Sequence, residues 1–183
     1  MEARTWFRIS AAPVGAQLEA LLEFAAARRA HYPTFLLVER EPAVLFTPNA
    51  APPRDAASVS EKKSAAEGHA AELLETLAPA LVTETRTDRW PGAPVERSAN
   101  AKVRYYRLDR HAALALARVG SLDAFLAPLP EELCILASDK TPWLVSSARN
   151  RRHHLHLTRE EERDLQKTLP WLQLVPEDVP PHE

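Results

Sequence analysis

His153, His154 and His156 crowd into the short segment RRHHLHL, and imidazoles are the commonest neutral ligands for transition metals. Two residues apart on a strand, side chains leave the backbone on the same side, so only His154 and His156 meet the geometric condition for shared ligation. Two ligands do not make a site, and the missing ones would have to come from residues such as His111 or Asp139, which no motif ties to the pair. The preferred reading is a polar strand face with one partly buried histidine, and no metal is expected.

Cys134 is the lone cysteine, so no intrachain disulfide forms. A nucleophilic thiolate needs a nearby base or helix N-terminus, whereas Leu133, Ile135 and Leu136 surround this one with apolar neighbours. A buried, inert thiol is expected. Asp139, Lys140, Ser146 and Ser147 bring an acid, a base and hydroxyls close in sequence, but no motif orients a base against a nucleophile. An enzymatic alternative would assemble Asp139, His154 and Ser146 in a cleft. The four glycines, Gly15, Gly68, Gly92 and Gly120, are too dispersed for a phosphate-cradling loop, and no cofactor is expected.

Cations are the stronger lead. The formal charge is -2, with a pI near 6.4, which excludes a globally basic nucleic-acid coat but leaves room for a local basic surface. Between Arg86 and Arg118 eight Lys or Arg stand against three acids, a local balance of +5. Between Asp139 and Arg159 five cations oppose one acid, a balance of +4. If the strands holding 102–108 and 152–157 share a sheet, Lys102, Arg104, Arg152, His154 and His156 form one cationic surface. Arg89, Trp90, Arg97, Tyr106, Arg149 and Arg151 then complete a candidate partner-binding set. The expected partner is an acidic protein. A nucleic acid is the alternative, with phosphates on the cations and bases stacked on the aromatics.

The elements that must position these groups can be read from periodicity. Thr5–Ile9 reads as a strand and 16–29 as a helix with Leu18, Leu21, Leu22 and Ala25 on one face. A strand follows at 35–38, with a continuation at 44–46, then a proline-rich loop over 48–60 in which Pro52 and Pro53 forbid regular pairing. A helix over 61–77 carries the stripe Ala66, Ala70, Leu73, Leu74 and Leu77, with Glu67, Glu72 and Glu75 facing water. Strands are expected at 81–85 and 102–108, separated by an irregular connection over 86–100 that contains Trp90-Pro91-Gly92. Asp109 caps a helix that Gly120 ends, and Ser121 caps a further turn.

The last third is the most legible. Three apolar segments from Leu133 to Leu157 are separated by a turn at 138–142 and a reversal at Arg149-Asn150, where Asn tolerates a left-handed backbone. In 152–157 the alternation places His153, Leu155 and Leu157 on one face and Arg152, His154 and His156 on the other. Thr158 with Glu161 forms a capping box that opens a final helix. This order implies an α+β fold with a mainly antiparallel sheet, a C-terminal three-stranded meander and helices packed on one face. A single domain over 1–175 with a mobile tail at 176–183 is expected.

MEARTWFRIS lacks the apolar core of a signal peptide, and no apolar run approaches the ~20 residues of a membrane helix. A cytoplasmic protein without membrane contact is expected. Size and the lack of catalytic motifs fit a non-catalytic interaction protein, such as a small bacterial immunity or accessory factor.

Overall fold

The computed structural model describes residues 3–28, 30–39, 56–90 and 101–177, with backbone only for 56–66. The chain is an α+β fold built on one eight-stranded sheet in which every neighbouring pair is antiparallel. In chain order the strands are β1 (Thr5–Ile9), β2 (Thr34–Glu39), β3 (Leu81–Thr87), β4 (Ala101–Arg107), β5 (Glu131–Leu136), β6 (Pro142–Ser147), β7 (Arg152–Leu157) and β8 (Leu174–Glu177). The helices are α1 (Ala16–Ala27), α2 (Ala56–Leu77), α3 (Arg110–Ala117) and α4 (Arg159–Thr168). Across the sheet the order is β3-β4-β2-β5-β6-β7-β1-β8, so β5, β6 and β7 form the meander expected of them.

Sequence signals and element boundaries agree closely in the C-terminal half, where side chains close the turns. Asp139 Oδ1 accepts from Thr141 N at 2.9 Å and from its hydroxyl at 2.6 Å, which fixes the β5–β6 hairpin. The Asp109 side chain accepts from Ala112 N at the start of α3, and Ser121 does the same for Asp123 in a 3-10 turn over Leu122–Ala124. At α4 both halves of the capping box are made: Glu161 N donates to Thr158 Oγ1 at 3.2 Å and Thr158 N to Glu161 Oε2 at 2.7 Å. Glu161 also accepts from the Tyr32 hydroxyl at 2.8 Å and pairs with Arg4, tying α4 to the far end of the chain.

Several boundaries differ from the sequence reading. Strand β3 runs to Thr87 rather than 85, so Arg86 and Thr87 of the expected irregular connection pair with β4, and α1 ends at Ala27 rather than 29. Helix α2 begins at Ala56 rather than 61, because the Ala and Ser residues after the last proline are compatible with helix once no ring blocks the backbone. The reversal between β6 and β7 places Arg151, not Asn150, at a positive φ of 50°. Strand β8 pairs with β1 through Glu177, so residues 176 and 177 of the expected tail belong to the sheet; Pro176 is tolerated there because β8 is an edge. Residues 178–183, and the strand continuation expected at 44–46, lie outside the described residues.

Apolar residues divide between the two faces of the sheet. Phe7, Phe35, Leu37, Tyr106, Leu144 and Leu155 join one core with Leu18, Leu21 and Leu22 of α1, Leu73 and Leu77 of α2, Leu116 of α3 and Leu165 of α4. The helices therefore cover one face. The opposite face holds a smaller cluster of Leu36, Val38, Val103, Cys134 and Val145 with the indole of Trp90. No helix among the described residues is long and apolar enough to cross a membrane.

Candidate functional site

Strand register decides which of the expected binding residues meet. Arg104 lies opposite Leu37 and Lys102 opposite Glu39, on the helix-covered face that also carries Phe35 and Tyr106. His154 lies opposite Val145 and Arg8, and His156 opposite Trp6, on the other face. Strands β4 and β7 are further separated by β2, β5 and β6, four steps that span roughly 19 Å at ordinary strand spacing. The single cationic surface expected from 102–108 and 152–157 does not form.

Several of those cations are also neutralised at home. Arg104 pairs with Glu39 and, at 3.2 Å, with Glu84; Lys102 Nζ lies 3.1 Å from the same Glu84 carboxylate. The hydrogen bond from Lys102, with help from Arg104, holds the Glu84 carboxyl below its ordinary range. Tyr106 is buried, stacked on Phe35 at 5.1 Å, and burial pushes its phenol up to about 12. Trp90 is also buried and donates its indole N–H to Glu132 Oε2 at 2.7 Å, so it packs back on its own sheet. Arg97 lies outside the described residues.

The histidines take three different roles. His154 is buried with Nε2 at 3.0 Å from Glu177 Oε2, a carboxylate that also pairs with Arg8. His156 stacks on Trp6 at 4.3 Å. His153 faces the helices, with Nδ1 2.9 Å from Ser146 Oγ and Nε2 2.9 Å from Asp123 Oδ1. Burial lowers the proton affinity of all three, outweighing the carboxylate beside His153 and His154; at His156 the Arg4 charge lowers it further. Among the described residues no group of three or more His, Cys, Asp or Glu is arranged to hold a metal ion.

The Ser146–His153–Asp123 chain is the constellation that sequence reasoning missed. One tautomer satisfies it: neutral His153 donates from Nε2–H to Asp123 and accepts the Ser146 hydroxyl proton at Nδ1. Those are the groups of a nucleophilic triad, but Ser146 is only 1% exposed and lies among core residues. An attacking oxygen must reach a substrate carbonyl, and this one is enclosed, so the chain acts as a polar bracket joining β6, β7 and the 3-10 turn. A partial signal was visible, since the alternation already put His153 inward with Leu155 and Leu157. The other proposed set, Asp139, His154 and Ser146, does not assemble. Asp139 is spent on Thr141 at a hairpin turn, and His154 and Ser146 are on opposite faces. Cys134 is buried, and burial raises its thiol well above the ordinary range, which suppresses the thiolate.

What the fold leaves in solvent is a basic hairpin at one end of the sheet. Ala148–Arg151 links β6 to β7, and Arg149, Arg151 and Arg152 are all exposed. Two backbone bonds close the turn, Asn150 N to Ser147 O at 3.2 Å and Arg151 N to Ala148 O at 3.1 Å, while Asn150 Nδ2 adds a bond to Ser147 Oγ. Arg149 reaches Glu131 at 3.3 Å yet remains 64% exposed. Neither Arg151 nor Arg152 has a carboxylate within ion-pair distance among the described residues. Arg89, held by a bond from its N–H to Thr87 Oγ1, is exposed at the same end of the sheet. No protein-family model, curated protein or solved structure matches the chain.

Proposed function

We propose that the protein is a non-catalytic binding module that presents the Arg149–Arg152 hairpin to an acidic protein partner. The observation that carries this reading is the backbone of Arg151. A side chain other than glycine at φ 50° costs about 1 kcal/mol, a cost that glycine or asparagine would reduce. An arginine kept in that conformation, beside a second arginine without an ion-pair partner among the described residues, fits a requirement for the guanidinium itself. Guanidinium groups match carboxylates with two parallel hydrogen bonds, which suits an acidic protein surface. The aromatic residues once candidates for base stacking, Trp90 and Tyr106, are buried, which favours protein over single-stranded nucleic acid.

Replacing Arg151→Gly together with Arg152→Ser separates binding from folding. Glycine relieves the backbone strain, so the melting temperature should hold or rise, while affinity for poly-L-glutamate in calorimetric titration should fall about tenfold, the equivalent of about 1.4 kcal/mol. Unchanged affinity would remove the hairpin as the site. Saturable binding of a DNA oligonucleotide, steeply weakened by salt, would transfer the reading to nucleic acid.

A further inference from the structure

We infer that the edge of β3, unpaired among the described residues, is a self-association surface, at which a second copy of this chain pairs antiparallel to extend the sheet. The two ends of the sheet differ. Strand β8 is four residues long and contains Pro176, both of which blunt an edge against pairing. Strand β3 has seven residues and no proline, and Leu81 through Arg86 are all exposed although β4 occupies one side. Three of its seven residues are threonine, which favours extended structure.

The sequence of this edge is self-complementary. In Thr83-Glu84-Thr85-Arg86-Thr87, an antiparallel partner centred on Thr85 places Thr85 opposite Thr85, Glu84 opposite Arg86 of the second copy, and Thr83 opposite Thr87. Opposite charges and Thr–Thr pairs both favour cross-strand neighbours. A twofold axis normal to the sheet keeps each face continuous, so the competing registers are displaced by whole pairs. The adjacent ones set Glu84 against Glu84 or Arg86 against Arg86, which penalises slippage. The register irregularity of β3 falls between Leu81 and Thr83, outside the self-complementary core. Glu84 already bridges Lys102 and Arg104, and Arg86 likewise has an interaction within its own chain; the second copy extends this ladder of charges.

Five residues of strand pairing, 83–87, make a small interface, so the dimer should be concentration-dependent. In sedimentation velocity the mass of the wild-type chain should rise with concentration from 20.4 kDa toward twice that value. Thr85→Lys places two lysines face to face on the axis, at an exposed position whose side chain is not needed for folding; it should hold the mass at 20.4 kDa with an unchanged melting curve. Arg86→Glu, which opposes Glu84 with a second acid on both sides of the axis, should likewise hold the mass at 20.4 kDa. A wild-type chain that stays monomeric at every concentration, or a dimer that survives both substitutions, would overturn the inference. No acidic probe is involved, so the outcome is independent of the arginine hairpin.

Discussion

Trp143→Ala should destabilise the fold by about 4 kcal/mol, enough to lower the melting temperature by about 12 °C in a domain of this size. Trp143 is fully buried on β6, with its ring 4.6 Å from Tyr32 and 6.2 Å from Phe24 of α1. Tyr32 in turn donates to Glu161, the residue that completes the α4 capping box. Truncation therefore removes the contact through which the meander, α1 and α4 meet, and leaves a cavity that rigid strands cannot close. The indole N–H has no acceptor among the described residues, and a buried polar group left unmet costs about 1–3 kcal/mol. Trp143→Phe keeps an aromatic ring and removes that N–H, so it should lose less than half as much as alanine. Thermal melts of the two variants check both statements; equal losses would show that the ring contacts are not what stabilises this region.

His153→Ala should cost about 3 kcal/mol, because it opens a core cavity and strands the Ser146 hydroxyl. The same strand should make the protein acid-labile. Burial lowers the proton affinity of folded His153, His154 and His156 below the ordinary value of 6.5. Above that pH neither folded nor unfolded chain holds the proton, and stability is independent of these groups. Below it the unfolded chain binds protons first, so stability falls as pH falls, by up to about 1.4 kcal/mol per pH unit for each histidine still neutral in the fold. Melting temperature should decline between pH 7 and 5.5, where carboxylates contribute little, and His153→Gln should flatten part of that slope. A melting temperature that is constant or rises on acidification would contradict the burial argument.

Local signals read well from this sequence because they depend on residues within a turn of one another. The capping box at Thr158 and Glu161, the Asp109 cap and the alternation of 152–157 are all where the residue types require them. The basic surface failed because it required knowing which strands are neighbours and which face of one continues a face of the other. Parity within β4 carried part of the answer: Lys102 and Arg104 share a face with Tyr106, which packs into the helix side. In β7 the inward residues are His153, Leu155 and Leu157, so Arg152, His154 and His156 point away from the helices. The Asp123 partner of His153 comes from thirty residues upstream, on a 3-10 turn whose docking is set by tertiary packing. Arg151 is not the left-handed residue the sequence suggests, because asparagine is the cheaper occupant of that conformation.

The claim that an arginine hairpin on a rigid sheet recognises an acidic chain is tested most directly by mapping amide chemical shifts during a poly-L-glutamate titration. The account predicts saturable shifts concentrated at Ala148–Arg152, with β4 undisturbed. Saturable shifts centred on Lys102 and Arg104, or binding that leaves the hairpin amides where they were, would contradict it.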